Sequence, residues 1–184
     1  MFALVKFIGR LSMWVARIEL ASASLLAAAI TLLILLNVVT RTLGLALFWV
    51  DELAIYAMVW MTFLGASAGI HYNHTIAITF LTNLLPKPVR TIVAKLVDGI
   101  VFIFAILIVW LCWRWFDPLE LARLGFDVAA FQGATFNFIY AEPTTTLGIK
   151  KYPIWLVMWI FAFGITLHSL VHLLSPARGH EESP

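Results

Sequence analysis

The sequence predicts an all-α integral membrane protein with four transmembrane helices. Of its 184 residues, 62% are hydrophobic and only 12% are charged, whereas soluble domains are typically about 45–50% apolar and about 25% charged. Such a chain has too little polar surface to cover itself in water. Four apolar segments approach or exceed the roughly 20 helical residues that cross the hydrocarbon core of a bilayer. These predicted spans are residues 18–40, 53–70, 89–113 and 153–174.

Lysine and arginine predict the orientation of the spans, because short loops rich in these residues stay in the cytoplasm. Cations cluster before the first span and around the connection between the second and third, at Lys6, Arg10, Arg17, Lys87, Arg90 and Lys95. The connection between the first two spans holds only Arg41, against Asp51 and Glu52. Both termini are therefore predicted to be cytoplasmic. Aromatic residues typical of a membrane boundary fall near the predicted outer side, at Trp49, Trp113, Trp115, Tyr152 and Trp155.

Two further segments have the pattern of short amphipathic helices that lie on a membrane surface. In residues 2–16 the cations form one narrow stripe and the apolar residues fall opposite. The alternative is that this segment simply extends the first span. In residues 74–85, threonines occupy one face and large apolar residues the other, and two prolines follow.

The external connection 114–152 is too long for a tight turn, and loops of this length are usually functional or disordered. It contains several aromatic residues, Phe126, Phe131, Phe136, Phe138 and Tyr140. They favour either a packed external cap or a surface that meets another protein. The sequence has no apparent internal repeat, so it lacks the inverted-repeat signature of a transporter that works alone.

Ionisable residues inside a bilayer are costly and are usually paired or functional. We place only Asp98 deep in a span, and Lys95, one helical turn earlier, is its expected ion-pair partner. An ion-coupling role for Asp98 is the alternative.

The first external loop is flanked by Arg41 and Glu52, which we expect to meet across an antiparallel helix hairpin, with Asp51 as the competing partner. The alternative role for Arg41 is substrate binding, since a guanidinium group matches a carboxylate. Asn37 is a candidate for a hydrogen bond between helices.

Gly65 and Gly69 form a GxxxG pattern in the second span, with three small residues between them. This pattern permits close backbone contact between helices. The contact can lie within the chain, with a large partner, or between copies in a self-associating scaffold.

Four histidines fall on the predicted cytoplasmic side, where His71 and His74 end the second span and His168 and His172 lie near the end of the fourth. Facing histidines on two helices can ligate a haem, so a haem-binding anchor subunit of a redox enzyme is the rival hypothesis. A zinc site needs further ligands, and no carboxylate is near in sequence. Histidines that only form hydrogen bonds are the simpler interpretation, and we expect no cofactor.

The sequence contains no pattern typical of an enzyme or of a nucleic-acid-binding protein. A nucleophile with its base, a phosphate-binding loop and paired catalytic carboxylates are all missing. A basic tract is missing as well. The single cysteine, Cys112, lies in an apolar stretch and is expected to be a buried apolar residue.

One set of residues in the first two spans carries a family resemblance. Residues 37–41 read N-V-V-T-R, and Trp49 and Glu52 follow; residues 59–66 read V-W-M-T-F-L-G-A, and His74 is followed by Ile76 and Ile78. As a set, this spacing resembles the small membrane subunit of TRAP (tripartite ATP-independent periplasmic) transporters, the DctQ-like family. The four-span layout is also similar.

The resemblance implies a subunit of a sodium-driven transporter for organic acids in the bacterial inner membrane. In such systems a periplasmic substrate-binding protein captures the substrate, and a large multi-span membrane subunit carries the substrate and sodium sites. The small subunit braces the large one among the membrane lipids and has no substrate site of its own. The residues expected to serve structure or interfaces here are Asn37, Arg41, Trp49, Glu52, Gly65, Gly69, His74 and Asp98.

Overall fold

The computed structural model describes residues 2–72 and 86–175. Within these ranges the chain forms seven helices and, apart from one isolated bridge between Pro143 and Lys150, no β-structure. The long helices are α1 (Phe2–Thr42), α2 (Phe48–Tyr72), α3 (Lys87–Phe116) and α7 (Val157–Leu174). The short helices are α4 (Pro118–Arg123), α5 (Val128–Thr135) and α6 (Tyr152–Trp155).

Four helical segments are long and apolar enough to cross a membrane, namely Val5–Thr42, Phe48–Tyr72, Pro88–Arg123 and Tyr152–Leu174. The predicted all-α membrane fold with four spans is therefore confirmed. The helices extend past the predicted spans, because backbone hydrogen bonding continues where the apolar run stops. The predicted surface helix at 74–85 lies outside the described residues, and the cytoplasmic position of the termini stays a prediction.

Helix α1 is continuous over 41 residues, which favours the alternative that residues 2–16 extend the first span, and the position of these residues relative to the membrane stays a prediction. The segment contains no proline, and its one glycine, Gly9, does not interrupt it. At a rise of 1.5 Å per residue the helix is about 60 Å long, roughly twice the thickness of the hydrocarbon core. One end of α1 therefore extends beyond the apolar region.

Helix α7 occupies the centre of the bundle. It packs against α1, α2 and α3, while α1 and α2 pack along each other as a hairpin. Ala162 and Gly164 are buried in α7, and such small residues allow neighbouring helices to approach closely. Helix α3 packs mainly against α7 and leaves most of its apolar surface uncovered. In a membrane this surface is available to lipid or to another subunit.

Residues 117–151, here called the cap, follow α3 and contain α4 and α5. Asp117 adopts a left-handed backbone conformation with φ 39° and its side chain caps the start of α4. Phe116, Phe131 and Ile139 form a buried cluster that holds the cap against the end of α3. The long external connection therefore folds as a packed cap.

Candidate functional site

A buried carboxylate–imidazole pair joins α1 to α7 in the middle of the bundle. Oε2 of Glu19 lies 3.0 Å from Nε2 of His168, and the two residues are only 3% and 0% exposed. The other carboxylate oxygen, Oε1, accepts a hydrogen bond of 2.8 Å from the hydroxyl of Ser67 on α2. One carboxylate therefore connects three helices.

The chain of hydrogen bonds continues from His168 to a second histidine through Ser12 of α1. The Ser12 hydroxyl oxygen lies 2.8 Å from Nδ1 of His168 and 2.8 Å from Nδ1 of His71. One assignment satisfies every contact, since a carboxylate only accepts and a hydroxyl donates once. His71 donates to Ser12, Ser12 donates to His168, and both His168 and Ser67 donate to Glu19. We call these five residues the polar network.

Gly164 of α7 makes room for the polar network. A Cβ atom added at this glycine would lie 2.4 Å from Oε1 of Glu19 and 2.4 Å from the hydroxyl oxygen of Ser67. No larger residue fits there unless those oxygens move. Gly164 thus provides close helix packing within the chain, whereas contact of Gly65 and Gly69 with a partner or another copy stays a prediction. An added Cβ at either of those two glycines meets nothing within 4 Å in the described part of the chain.

The polar network contains Glu19, a buried acid of the first predicted span that the sequence expectations did not include, while the membrane depth of Asp98 stays a prediction. Glu19 is more deeply buried than Asp98, whose side chain is 24% exposed. Glu19 was overlooked because it follows Arg17 near the start of an apolar run and so resembles a boundary residue. A signal was present, because Ser12 and Glu19 are seven residues apart and therefore share one face of α1.

Lys95 of α3 contacts the last turn of α7. Its Nζ donates to the backbone carbonyl oxygens of His172 at 2.7 Å, Leu173 at 3.3 Å and Ser175 at 2.6 Å. A cation at this position satisfies the open carbonyl groups at a helix C-terminus. The expected pair with Asp98 is also present, but at the longer distance of 3.7 Å. Lys95 therefore ties α3 to the end of α7.

Asp51 rather than Glu52 closes the first hairpin. Nη2 of Arg41 lies 2.5 Å from Oδ2 of Asp51, and Nε of Arg41 donates to Oδ1 of Asn37 at 2.9 Å. Asn37 in turn donates to Asp51, the hydrogen bond between helices that its position suggested. The expected Arg41–Glu52 contact is wrong because adjacent helical residues point about 100° apart, so only one of the two acids can face α1.

Glu52 instead holds the cap on the start of α2. Its Oε1 accepts from the backbone N–H of Thr145 at 2.7 Å, and its Oε2 accepts from those of Thr146 at 2.6 Å and Leu147 at 3.0 Å. The hydroxyl groups of Thr146 and Tyr56 also donate to this carboxylate. Sequence reasoning missed this site because its main donors are backbone groups of a distant loop.

Comparison with known protein families assigns the chain. The family model described as "Tripartite ATP-independent periplasmic transporters, DctQ component" matches residues 30–179. The chain belongs to this family. The resemblance to the DctQ-like family is thereby confirmed.

One curated relative matches this DctQ-family chain over part of its length. It is the C4-dicarboxylate TRAP transporter small permease protein DctQ of Vibrio cholerae, which is 28% identical over 100 residues. The match covers 54% of this chain and 43% of the relative, so the chain matches less than half of that protein's length. No solved structure matches the chain.

The three histidines of this DctQ-family chain that the structure describes, His71, His168 and His172, are not arranged as facing haem ligands. The rings of His71 and His168 are in contact, with centroids 5.1 Å apart, and Ser12 joins them, so a porphyrin does not fit between them. His172 uses Nε2 to contact the carbonyl oxygen of Ile70 at 2.9 Å. Within residues 2–72 and 86–175 no group of three His, Cys, Asp or Glu residues could hold a metal ion. His74 lies outside the described residues.

Two aromatic residues lie at the end of the bundle that carries the cap. Trp49 is exposed at the start of α2, and its role at a membrane boundary stays a prediction. Tyr140 donates from its hydroxyl to the carbonyl oxygen of Phe116 at 2.6 Å, which fastens the cap to the end of α3. Burial raises the pKa of Tyr140, and the negative charge of Asp117 adds to this effect.

Proposed function

We propose that this chain braces the large transport subunit of a sodium-driven TRAP transporter for organic acids and carries no substrate site of its own. The observation that carries the proposal is the polar network, in which Glu19 and His168 bond other residues of the same chain through both of their polar side-chain atoms. A transport site needs polar groups that a ligand can reach. Here the deep polar groups instead connect α1, α2 and α7.

Rigidity is the property that a brace requires, and two further contacts support it. Lys95 binds the C-terminal end of α7, and Glu52 binds the cap to α2. In the described residues, every buried side-chain nitrogen and oxygen atom has a hydrogen-bond partner. The uncovered apolar surface of α3 leaves a wide face for a partner subunit or for lipid.

The partners proposed for this chain follow from its family. They are a large multi-span TRAP membrane subunit, a periplasmic substrate-binding protein and the lipids of the bacterial inner membrane. The matched relative is named for C4-dicarboxylates, which makes an organic acid the proposed substrate class. We also propose that the chain is not an enzyme, because its family is a component of transporters.

Reconstitution tests the absence of a transport site. The purified chain in proteoliposomes should give no uptake of ²²Na⁺ above protein-free vesicles, with or without a mixture of C4-dicarboxylates. The same vesicles with the large subunit and its binding protein provide the positive control. Sodium-coupled uptake by the chain alone would contradict the proposal.

Stability of the large subunit tests the bracing role. We expect the large subunit encoded beside this chain to co-purify with it and to unfold at a higher temperature in the complex than alone. A variant of the small chain with Glu19→Ala should lower the unfolding temperature of the complex, since it removes the link between three helices. A large subunit that is equally stable and active alone would overturn the bracing role.

A further inference from the structure

We propose that the cap inserts the side chains of Phe136 and Phe138 into the bilayer at the C-terminal end of α3, so that lipid is the occupant of this exposed apolar patch. Phe136 is 82% exposed and Phe138 is 57% exposed. Large apolar side chains that remain uncovered in a folded chain mark a contact with something else. The following observations identify that partner as lipid.

The patch lies at the level of the membrane boundary. Asn137, which stands between the two phenylalanines, donates from Nδ2 to the carbonyl oxygen of Trp115 at 2.6 Å. This contact brings the patch back to the last turn of α3. About 20 helical residues cross the hydrocarbon core. A stretch of this length that ends at Trp115 begins at Leu96, directly after Lys95. Trp115 therefore stands where the core ends.

The surroundings of the patch have the chemistry of a membrane boundary. Trp113 and Trp115 are exposed on the last turn of α3, and tryptophan is enriched at the level of the lipid headgroups. Arg114, between them, is exposed as well, and arginine at this depth reaches towards headgroups. The two phenylalanines thus continue a lipid-facing surface that α3 already presents.

The composition of the cap favours lipid over a soluble protein partner. Residues 128–141, which include α5 and both phenylalanines, contain no aspartate, glutamate, lysine, arginine or histidine. Protein interfaces usually surround an apolar centre with a polar rim. An uncharged segment beside the hydrocarbon core instead matches insertion at the acyl–headgroup boundary.

Spin labelling tests the depth of the patch. The background is Cys112→Ala, because Cys112 is the single cysteine. A nitroxide is attached at Phe136→Cys or, separately, at Phe138→Cys, and the matched control is Lys150→Cys, an exposed position of the same cap. The full chain is reconstituted in vesicles of phosphatidylethanolamine and phosphatidylglycerol. Power saturation then measures the collision rates of each label with oxygen and with the water-soluble nickel reagent NiEDDA.

Insertion into lipid predicts an oxygen-to-nickel collision ratio several-fold higher at both phenylalanine positions than at position 150. The two positions test the idea separately if one substitution impairs folding. Equal ratios at the three positions would overturn the proposal. A second result would also overturn it. In that case the labels collide freely with NiEDDA when the chain is alone and lose these collisions only when the large subunit or the binding protein is added. A protein would then be the occupant of the patch.

Discussion

Replacing Gly164 by alanine tests whether the polar network determines the stability of the helix bundle. The added Cβ would lie 2.4 Å from Oε1 of Glu19 and 2.4 Å from the hydroxyl oxygen of Ser67, and these two oxygens are themselves 2.8 Å apart. The new methyl group would therefore crowd both atoms of one hydrogen bond from the side. Nonbonded carbon and oxygen atoms rarely approach closer than about 3.3 Å, so both oxygens must move by about 0.9 Å.

The expected cost follows from the bond that is lost. A hydrogen bond to a charged group contributes about 1.5–3 kcal/mol, and the strain of an overpacked core adds about 1–3 kcal/mol. The higher helix propensity of alanine returns up to about 1 kcal/mol. These terms together span about 1.5–5 kcal/mol. We expect a net destabilisation of about 3 kcal/mol, which lowers the ratio of folded to unfolded chain by roughly 150-fold.

Unfolding of the purified chain by sodium dodecyl sulfate in mixed micelles, followed by tryptophan fluorescence, measures this change. Gly65→Ala is the matched control, because an added Cβ there meets nothing within 4 Å and the variant should be as stable as the native chain or slightly more stable. Combining Gly164→Ala with Ser67→Ala removes one of the two crowded oxygens. The double variant should therefore lose less stability than the sum of the single changes. If Gly164→Ala is as stable as Gly65→Ala, the reasoning about the network is refuted.

Three further contacts give predictions of their own. Glu52→Gln should speed hydrogen exchange of the amides at residues 145–147 by about tenfold. The control variant Asp51→Asn affects only the hairpin and should leave these exchange rates unchanged. Equal effects of the two variants would contradict the role of Glu52 in holding the cap. In the same unfolding assay, Lys95→Met should destabilise the end of α7 by about 1–3 kcal/mol. Asp98→Asn should change the stability by less than about 1 kcal/mol. A larger loss of stability for Asp98→Asn than for Lys95→Met would show that the ion pair matters more than the contact with the helix end. Tyr140→Phe should weaken the cap by about 1 kcal/mol, measured as faster proteolysis of the cap. The folded cap raises the pKa of Tyr140, so the hydroxyl keeps its proton in the folded state at a pH where the unfolded state loses it. The stability of the cap should therefore fall as the pH rises above the ordinary tyrosine pKa of about 10. The phenylalanine variant should show a smaller alkaline loss, and an unchanged loss would contradict the assignment.

The spans and the fold class were predictable because the length of an apolar run is a local property. The hydrogen-bond and ion-pair partners of the polar side chains were not predictable, since they depend on how each helix is rotated about its axis. Asp51 and Glu52 are neighbours with similar chemistry, yet one faces α1 and the other faces the cap. Composition alone does not reveal that rotation.

Gly164 and Glu19 show a second limit of sequence reasoning. The G-x-x-x-G pattern drew attention to Gly65 and Gly69, but the crowded glycine is an isolated one on another helix. Gly164 is crowded by Glu19 of α1 and Ser67 of α2, which stand 145 and 97 positions earlier in the chain. A pattern read within one helix contains no information about such distant neighbours.

The polar network also constrains the order in which the chain matures during synthesis. Glu19 and Ser67 belong to the first two spans, whereas His168 is 149 residues after Glu19 and enters with the last span. At about 5–20 residues per second, roughly 5–20 s pass between synthesis of Ser67 and synthesis of His168. During that interval the nascent hairpin holds a carboxylate without its imidazole partner. Arrival of α7 supplies the imidazole donor, so a chain whose synthesis stops before His168 has a Glu19 carboxylate that lacks one of its two hydrogen-bond donors.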